Sequence, residues 1–249
     1  MKNKFTETTS CPLCNEDGIH FSEEVVQIGG ASIVVGVRKC QACSLVFTSP
    51  RLNADGLNML YNNDYETSSE SSQYCSRVHG SATEYAALTK LVCEFVPGGG
   101  TILDVGCGEG NLLAQLDNLN IYKLQGVEVS EPASIKARAR GFKVHIGSIN
   151  GEALRAENFD AVTMVYVLEH VPEPVDTLKA ARRLLVKDGV LIVAVPNYNY
   201  LKLLYTGPIN LILRGKATSL MAGEHLFNYT PRTFEALAHQ AGFRVVKWK

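Results

Sequence analysis

The stretch that decides the fold is "TILDVGCGEGNLL", residues 101–113. Its first half is a continuous apolar run, which is typical of a buried strand in a parallel sheet. Three glycines in five positions follow (Gly106, Gly108 and Gly110), and a second apolar run then predicts a helix. Such a turn can bring backbone N–H groups close to a phosphate, a dinucleotide or an uncharged ligand. The glycines alone therefore predict a ligand site without identifying the ligand.

The same alternation of strand and helix continues to residue 197. The predicted strands are 123–130, 143–147, 159–165 and 190–197, and the predicted helices are 132–141 and 174–189, the second ending at Gly189. This order predicts a doubly wound, mostly parallel, Rossmann-like α/β sheet with right-handed crossovers. Ligands bind such sheets beyond the carboxyl ends of the strands. The polar residues that fall at those ends are Asp104, Glu128, Ser148, Glu169, His170 and Asn197.

Residues 198–230 interrupt the alternation with an apolar and aromatic segment. Its length exceeds that of an ordinary connection, so we interpret it as a lid or substrate-facing insertion, with a surface amphipathic segment as the alternative. A helix is predicted next, with Thr230 as N-cap, Pro231 at its first position and Gly242 after its end. The final residues, "RVVKWK", predict the start of a strand.

The cysteines divide into two kinds. Cys11 and Cys14 form one C-x-x-C pair, and Cys40 and Cys43 form a second pair 25 residues later. Two short β-runs around a Gly-Gly turn lie between the pairs, and four thiolates so arranged suit a tetrahedral Zn²⁺. A redox pair is the alternative, although it would not need a second copy. Because four thiolates leave no open coordination position, we expect a structural zinc. The other cysteines have no partner spacing and are interpreted as ordinary buried thiols: Cys75, Cys93 and Cys107.

The composition sets broad limits. The chain has 249 residues and a net charge of −1, which gives no general attraction to nucleic acid or anionic membranes. It contains no apolar run of the roughly 18–20 residues that cross a bilayer, and its first residues have no signal-peptide core. We therefore expect a cytoplasmic protein with no membrane attachment. The predicted regions are a zinc-binding ribbon at 1–50, a helical linker region at 51–98 and an α/β domain at 99–249. Nothing in the sequence sets an oligomeric state.

Two carboxylates narrow the choice of ligand. The glycine spacing is G-x-G-x-G and not the G-x-G-x-x-G of dinucleotide-binding proteins. Asp104 lies in the approach to the turn, where its charge would repel a pyrophosphate and attract an ammonium group. Glu128 ends the next strand, about 20 residues beyond the glycines, where a carboxylate can accept hydrogen bonds from ribose hydroxyls. S-adenosylmethionine fits this description, because it has a ribose and an ammonium group but no phosphate.

The motifs as a set resemble a known family. "LDVGCGEG", "GVEVS", "FDAVTMVYVLEHVPEP" and "GVLIVAVPN" resemble the successive motifs of class I S-adenosylmethionine-dependent methyltransferases. The stretches "CPLC", "CQACSLVFTSPR" and "EHLFNYTPRTFEALAHQAGF" resemble one branch, which joins an N-terminal zinc-binding segment to the methyltransferase domain. That branch is similar to small-molecule and sugar methyltransferases. The resemblance implies in-line methyl transfer to a small-molecule acceptor, such as a sugar or secondary metabolite, by a domain at 99–249 whose lid is 198–230.

The resemblance also implies a cofactor site. The glycine turn, which includes Cys107, would lie against the methionine part, and Asp104 would receive the ammonium group through a water or by ordering the turn. Glu128 would hold the ribose and Val129 would pack on the adenine. Leu168, after the fourth strand, would border the transferred methyl group. The implied cofactor-binding positions are Asp104, Gly106, Cys107, Gly108, Gly110, Glu128, Val129, Ser148, Ile149 and Leu168.

One position departs from the family pattern. Relatives often carry an acidic residue after the third strand, where it meets the adenine amino group. This chain has "GSIN" there. Ser148 or the backbone of Ile149 must therefore take that role.

The candidate catalytic residues are His225, His170 and Glu169. The protein must align the acceptor and, for an oxygen or carbon nucleophile, remove a proton. An imidazole is the natural base because its ordinary pKa is near 6.5. His225 follows the lid and is placed to act as base or to orient the acceptor; its alternative is a hydrogen bond within the lid. His170 is the second candidate base, and Glu169, with Leu168, would border the transferred methyl group. Alternatives for His170 and Glu169 are shaping the site and, by resemblance to some quinone methyltransferases, holding a divalent metal.

Two rival functions remain. One is a non-catalytic zinc-ribbon module whose methyltransferase-like domain binds S-adenosylmethionine as a sensor or interaction protein. The ribbon has few basic residues and sparse aromatic ones, which argues against nucleic-acid binding. The other is an NAD-dependent oxidoreductase, which the glycine spacing and Asp104 disfavour.

Overall fold

The chain has an N-terminal part made of short and long strands and a second part in which helices and strands alternate. The computed structural model describes residues 4–57, 59–60, 82–154, 157–200 and 220–249. The first part contains the strands β1 (Thr6–Glu7), β2 (Ile19–Ile28), β3 (Ala31–Lys39), β4 (Val46–Thr48) and β5 (Arg51–Leu52). The second contains α1 (Ala82–Phe95), β6 (Gly100–Val105), α2 (Asn111–Asp117), β7 (Tyr122–Glu128), α3 (Glu131–Ala139), β8 (Lys143–Ile146), β9 (Phe159–Val165), α4 (Pro174–Leu184), β10 (Leu185–Ala194), β11 (Phe227–Asn228) and α5 (Pro231–Gln240).

The second part is built on a five-stranded parallel sheet. Its strand order is β10-β9-β6-β7-β8, and each neighbouring pair is parallel. The four last residues of β6 and most residues of β9 are buried, as expected for central strands covered by helices on both faces. The predicted doubly wound, Rossmann-like sheet is confirmed. The carboxyl ends of β6, β7 and β9 consequently meet at one edge.

The N-terminal strands form an antiparallel sheet that also uses a distant strand. β2 and β3 make the predicted hairpin around Gly29 and Gly30, whose φ angles are 54° and 78°. β4 pairs with β3, and β11 pairs with β4 through Phe227 opposite Phe47. The four-stranded sheet, ordered β11-β4-β3-β2, therefore includes residues from both sides of the predicted boundary at residue 50.

One hydrophobic core joins the two sheets. Leu13 and Phe47 of the N-terminal region belong to the same buried cluster as Leu103 of β6 and Leu226, which precedes β11. The cysteine-rich segment therefore packs directly against the domain that carries the glycine turn. This contact fixes the approach of β11 to the edge of the parallel sheet.

The boundary between α4 and β10 differs from its prediction. The helix ends at Leu184 and does not continue to Gly189. Leu185 has an extended backbone, with φ −81° and ψ 139°, and pairs with Phe159, whereas Val190 pairs with Ala161. The predicted extension was wrong because pairing with β9 overrides the local helical pattern.

The predicted strand at 244–249 is also wrong, because these residues have no strand assignment. Residues of β10 and residues 244–249 line a groove of about 710 Å³. The segment is held by side chains instead: Lys247 lies 2.6 Å from the Glu94 carboxylate on α1, and the ring centroids of Trp248 and Phe234 are 5.8 Å apart.

The start and end of α5 are confirmed. The Thr230 side chain accepts from the backbone N–H of Thr233, and Pro231 occupies the first turn. Gly242, with φ 82°, follows the C-cap. This helix immediately follows β11 and so fixes where the chain leaves the edge of the site.

Three earlier predictions fall wholly or partly outside the described residues. They are the middle of the predicted lid (201–219), part of the linker region (58 and 61–81) and Cys75. Within the described part, no helix combines the length and apolar character needed to cross a membrane.

Candidate functional site

The glycine turn follows β6 directly. Gly106, Gly108 and Gly110 have φ angles of 68°, 53° and 79°, a backbone region that other residues adopt at a cost. A Cβ atom at Gly106 would lie 2.5 Å from Cγ2 of Val167, in the loop after β9. Gly106 therefore allows the turn to approach the neighbouring loop closely, while its N–H donates to the Val127 carbonyl oxygen at 2.8 Å.

Glu128, the last residue of β7, braces this turn. Its Oε2 accepts the Gly108 N–H at 2.9 Å, and its Oε1 accepts the Ser130 N–H at 2.8 Å. One carboxylate thus connects the glycine turn to the start of α3. Its position at the carboxyl end of β7 is the one predicted for a ribose-binding carboxylate.

Asp104 lies buried beside the turn. Its Oδ1 accepts a hydrogen bond from Thr163 Oγ1 at 2.6 Å. Burial raises the pKa of Asp104 to about 7, a net effect in which the Thr163 hydrogen bond lowers the pKa and the nearby Glu128 charge adds to the increase. A positively charged group near Asp104 would favour the ionised form.

Two exposed apolar side chains border the ends of β7 and β8. Val129 is 72% exposed and Ile146 is 46% exposed. A planar apolar group such as adenine would cover surface of this kind. The sequence interpretation missed Ile146, although its place at the end of a predicted strand was an available signal. Ser148 is exposed in the following loop, whereas the side chain of Ile149 is buried in the core.

The Cys107 thiol does not face the mouth of the turn. A Cβ atom at Gly126 would lie 2.5 Å from its sulfur, so the thiol points toward β7. Burial raises its pKa well above the ordinary value. The thiol is therefore not placed to bind a ligand, and the Cys107 N–H donates to the Val127 carbonyl oxygen at 3.3 Å.

The loop after β9 supplies the buried carboxyl group of Glu169. The residue is 1% exposed, and both carboxyl oxygens are buried without a hydrogen-bond partner among the described residues. Burial raises the pKa of Glu169 to about 8. Its backbone carbonyl accepts the Leu226 N–H at 2.7 Å, which ties this loop to the segment before β11. Leu168, the preceding residue, is fully buried, and its carbonyl accepts from the Tyr229 hydroxyl at 3.2 Å.

His170 and His225 lie side by side. Their ring centroids are 4.8 Å apart and the ring planes meet at 77°. Nδ1 of His170 lies 3.0 Å from the Glu224 carbonyl oxygen. Because a carbonyl can only accept, Nδ1 carries the proton and Nε2 is left as an acceptor. Burial lowers the pKa of His170 to about 4 and that of His225 to about 3, the latter also because of His170.

The three candidate catalytic residues form one cluster. Ligand atoms of Glu169, His170 and His225 all lie within 4.8 Å of one another. A buried carboxyl group beside two neutral imidazoles can exchange a proton with a ligand, and it is also a donor set that binds divalent ions. The sequence interpretation missed Glu224, because its contribution is a backbone carbonyl that no side-chain pattern reveals.

The four paired cysteines also meet. Cys11 Sγ lies 3.4 Å from Cys43 Sγ, and Cys14 Sγ lies 3.3 Å from Cys40 Sγ. All four sulfurs lie within 4.8 Å of one another. A residue with positive φ follows each C-x-x-C pair and reverses the chain direction. These residues are Asn15, with φ 59°, and Ser44, with φ 67°. Four converging thiols form a donor set suited to a tetrahedral zinc ion.

Comparisons with known proteins agree with this architecture. A family model described as a methyltransferase domain matches residues 78–247. The S-adenosylmethionine-dependent methyltransferase from Mesorhizobium loti is similar in structure, with a TM-score of 0.50 and 22% identity over 64% of this chain and 80% of that one. This similarity supports the class I methyltransferase fold.

Curated relatives carry a more specific name. The ubiquinone biosynthesis O-methyltransferase of Neisseria meningitidis (serogroup A / serotype 4A) is 26% identical over 142 residues, which is 54% of this chain and 54% of that protein. The protein of the same name from Hydrogenovibrio crunogenus is 30% identical over 154 residues, 57% of this chain and 61% of that protein. The chain spans about half the length of the curated relatives it matches.

Proposed function

The chain belongs to the methyltransferase-domain family, and on that premise we propose that it transfers the methyl group of S-adenosylmethionine to a small-molecule acceptor. The observation that carries the proposal is the glycine turn braced by Glu128 beside the buried Asp104. Two carboxyl groups at this position suit a ligand with an ammonium group and ribose hydroxyls, and they oppose a pyrophosphate. This arrangement also favours a methyltransferase over an NAD-dependent oxidoreductase.

The cofactor-binding residues would act on different parts of S-adenosylmethionine. The backbone of Gly106, Gly108 and Gly110 would receive the methionine part, and Asp104 would attract its ammonium group. Glu128 would accept hydrogen bonds from the ribose hydroxyls through lone pairs left free by its two backbone contacts.

The adenine would lie on the apolar side chains at the ends of β7 and β8. Val129 and Ile146 would cover its ring faces, because both are exposed there. Ser148 and the backbone of Ile149 would meet its polar edge. When bound, the cofactor supplies the electrophilic methyl group, so the protein's own contribution is alignment and proton transfer.

We propose that His225 removes a proton from the acceptor. The neutral ring of His225 can accept a proton, and the adjacent ring of His170 leaves its Nε2 as a hydrogen-bond acceptor. The cationic cofactor would favour ionisation of the Glu169 carboxyl group. The resulting carboxylate would stabilise an imidazolium at His225. Leu168 and Glu169 would border the transferred methyl group.

A divalent ion is the alternative role for the same three side chains. One carboxylate and two imidazoles are suitable ligands, and His170 donates its other ring N–H to a carbonyl, as metal-bound histidines commonly do. A requirement for added Mg²⁺ or Mn²⁺ in the methyl-transfer assay would favour this role over direct proton removal by His225.

For the four-cysteine cluster we propose a structural zinc. Cys11, Cys14, Cys40 and Cys43 would occupy all four tetrahedral positions, so the ion would do no chemistry. For the acceptor we propose a small molecule with a hydroxyl or amine, such as a sugar or secondary metabolite. The names of the curated relatives support a small-molecule acceptor and methylation at oxygen. We also propose a cytoplasmic location.

The test is an assay for S-adenosylhomocysteine with a panel of nucleotide-sugar and phenolic acceptors. We expect His225→Ala to lower turnover by about a hundredfold, the usual contribution of a positioned acid or base, with little change in cofactor affinity. His239→Ala is the matched control, because His239 is exposed on α5. Equal turnover in the wild type and His225→Ala would remove His225 from the mechanism. Cofactor binding without turnover on any acceptor would favour the non-catalytic sensor.

A further inference from the structure

Glu24, on β2 of the N-terminal hairpin, reaches across to the segment that carries His225. Its Oε1 accepts the Leu220 N–H at 2.6 Å, and its Oε2 accepts the Ala222 N–H at 2.9 Å. Its neighbour Glu23 points to solvent, because successive side chains on a strand face opposite sides. One carboxylate of the hairpin therefore binds two backbone N–H groups nearly 200 residues away in the chain.

These contacts hold a tight turn. The Met221 carbonyl accepts the N–H groups of Glu224 at 2.8 Å and His225 at 2.6 Å, and Met221 itself has a φ of 55°. Gly223 packs against β2 so closely that a Cβ atom there would lie 2.7 Å from Cγ2 of Val26. The Glu24 carboxylate thus binds N–H groups on either side of Met221, while the Met221 carbonyl closes the turn.

The turn sets the geometry of both imidazoles. It ends at His225, whose ring lies 4.8 Å from that of His170. It also contains Glu224, whose carbonyl oxygen receives the Nδ1 proton of His170. Displacement of the turn would therefore move the ring of His225 and remove the group that selects the tautomer of His170.

We infer that Glu24 is a positioning residue of the methyl-transfer site, acting through the 220–225 turn on the orientation of His225 and the tautomer of His170. The expected effect on turnover rests on the proposed function. The effect on the orientation of His225 and on the tautomer of His170 rests on the contacts alone. It gives the N-terminal hairpin a part in the reaction through the 220–225 turn.

The decisive variant is Glu24→Gln. An amide offers one acceptor oxygen, and its nitrogen carries only donors, so one of the two backbone N–H groups would face another N–H. Glu23→Gln is the matched control, because Glu23 lies on the same strand with its side chain 62% exposed. If Glu24→Gln does not fold, Glu24→Asp replaces it, since the shorter side chain cannot span both N–H groups.

The first measurement is long-range ¹H–¹⁵N NMR of the histidine rings, which reports the protonated nitrogen without any acceptor. We expect a single His170 tautomer, with the proton on Nδ1, in the wild type and in Glu23→Gln, and a mixture in Glu24→Gln. An unchanged His170 signal in Glu24→Gln would overturn the inference.

The second measurement separates positioning from general stability. We expect turnover of Glu24→Gln, measured well below the melting temperatures of both variants, to fall on the order of tenfold relative to Glu23→Gln, the effect of losing one hydrogen bond to a charged group, with similar cofactor affinity. A loss of turnover that only follows the melting temperature would contradict the inference. A wild-type protein that makes no S-adenosylhomocysteine would instead overturn the proposed function, and the NMR comparison would still decide the positioning role.

Discussion

Burial acts in opposite directions on the acidic and basic side chains of the candidate site. It raises the pKa of Asp104 to about 7 and that of Glu169 to about 8, and it lowers the pKa of His170 to about 4. Near pH 7 the two imidazoles are neutral and the Glu169 carboxyl is largely protonated. A cationic ligand would shift both carboxyl groups toward the ionised form, so the site is suited to a positively charged cofactor.

The raised pKa of Asp104 predicts how cofactor binding depends on pH. Because the pKa of Asp104 is raised to about 7, the carboxyl is mostly protonated below that pH and loses its attraction for an ammonium group. We expect affinity for S-adenosylmethionine, measured by calorimetry, to rise on the order of tenfold from pH 5.5 to pH 7, following the ionised fraction of Asp104. In Asp104→Asn the rise should be much smaller. A wild-type affinity that is constant over this range would contradict the role given to Asp104.

At the scale of elements, β4 connects the cysteine cluster to the candidate catalytic cluster. Cys40 and Cys43 lie between β3 and β4, and β4 pairs with β11, which begins two residues after His225. Thr48 on β4 also donates from Oγ1 to the His225 carbonyl oxygen at 3.0 Å. Loss of the cysteine cluster should therefore loosen β4 and β11 together.

Chelation tests this connection. We expect freshly purified protein to contain about one zinc ion per chain, and its removal to increase hydrogen exchange in β2–β4 and β11 while β6 and β9 stay protected. Cys40→Ser should reproduce the loss of metal. Cys93→Ser is its control, because Cys93 lies on α1 outside the cluster. Metal-free protein with unchanged exchange in β11 would argue against the proposed structural zinc.

Some elements could be predicted from the sequence and others could not. Strands β6 to β9 and helix α5 follow from local apolar patterns, caps and glycines, because each is encoded within its own segment. The predictions were wrong at Leu185, which pairs with β9, and at 244–249, which form no strand, because strand formation depends on contacts outside the segment. The pairing of β4 with β11 had no local signal either.

At the scale of the whole molecule, the candidate site combines residues from distant parts of the chain. Glu169 and His170 come from the loop after β9, His225 from the turn before β11, and Glu24 from the N-terminal hairpin. The sequence indicated Glu169, His170 and His225 as candidates by residue type and by their places in the family motifs. It could not predict their mutual contact or the contribution of Glu24, because both arise from packing between the two sheets.

The central claim is that S-adenosylmethionine binds at the carboxyl edge of the parallel sheet. The most direct test is calorimetric titration of the cofactor into the wild type, Glu128→Ala and the control Glu131→Ala, whose side chain is exposed on α3. We expect binding to the wild type and to Glu131→Ala with similar affinity. Binding to Glu128→Ala should be weaker by roughly tenfold or more, the loss of charge-assisted hydrogen bonds. Equal affinity in all three proteins, or no binding to the wild type, would contradict the central claim.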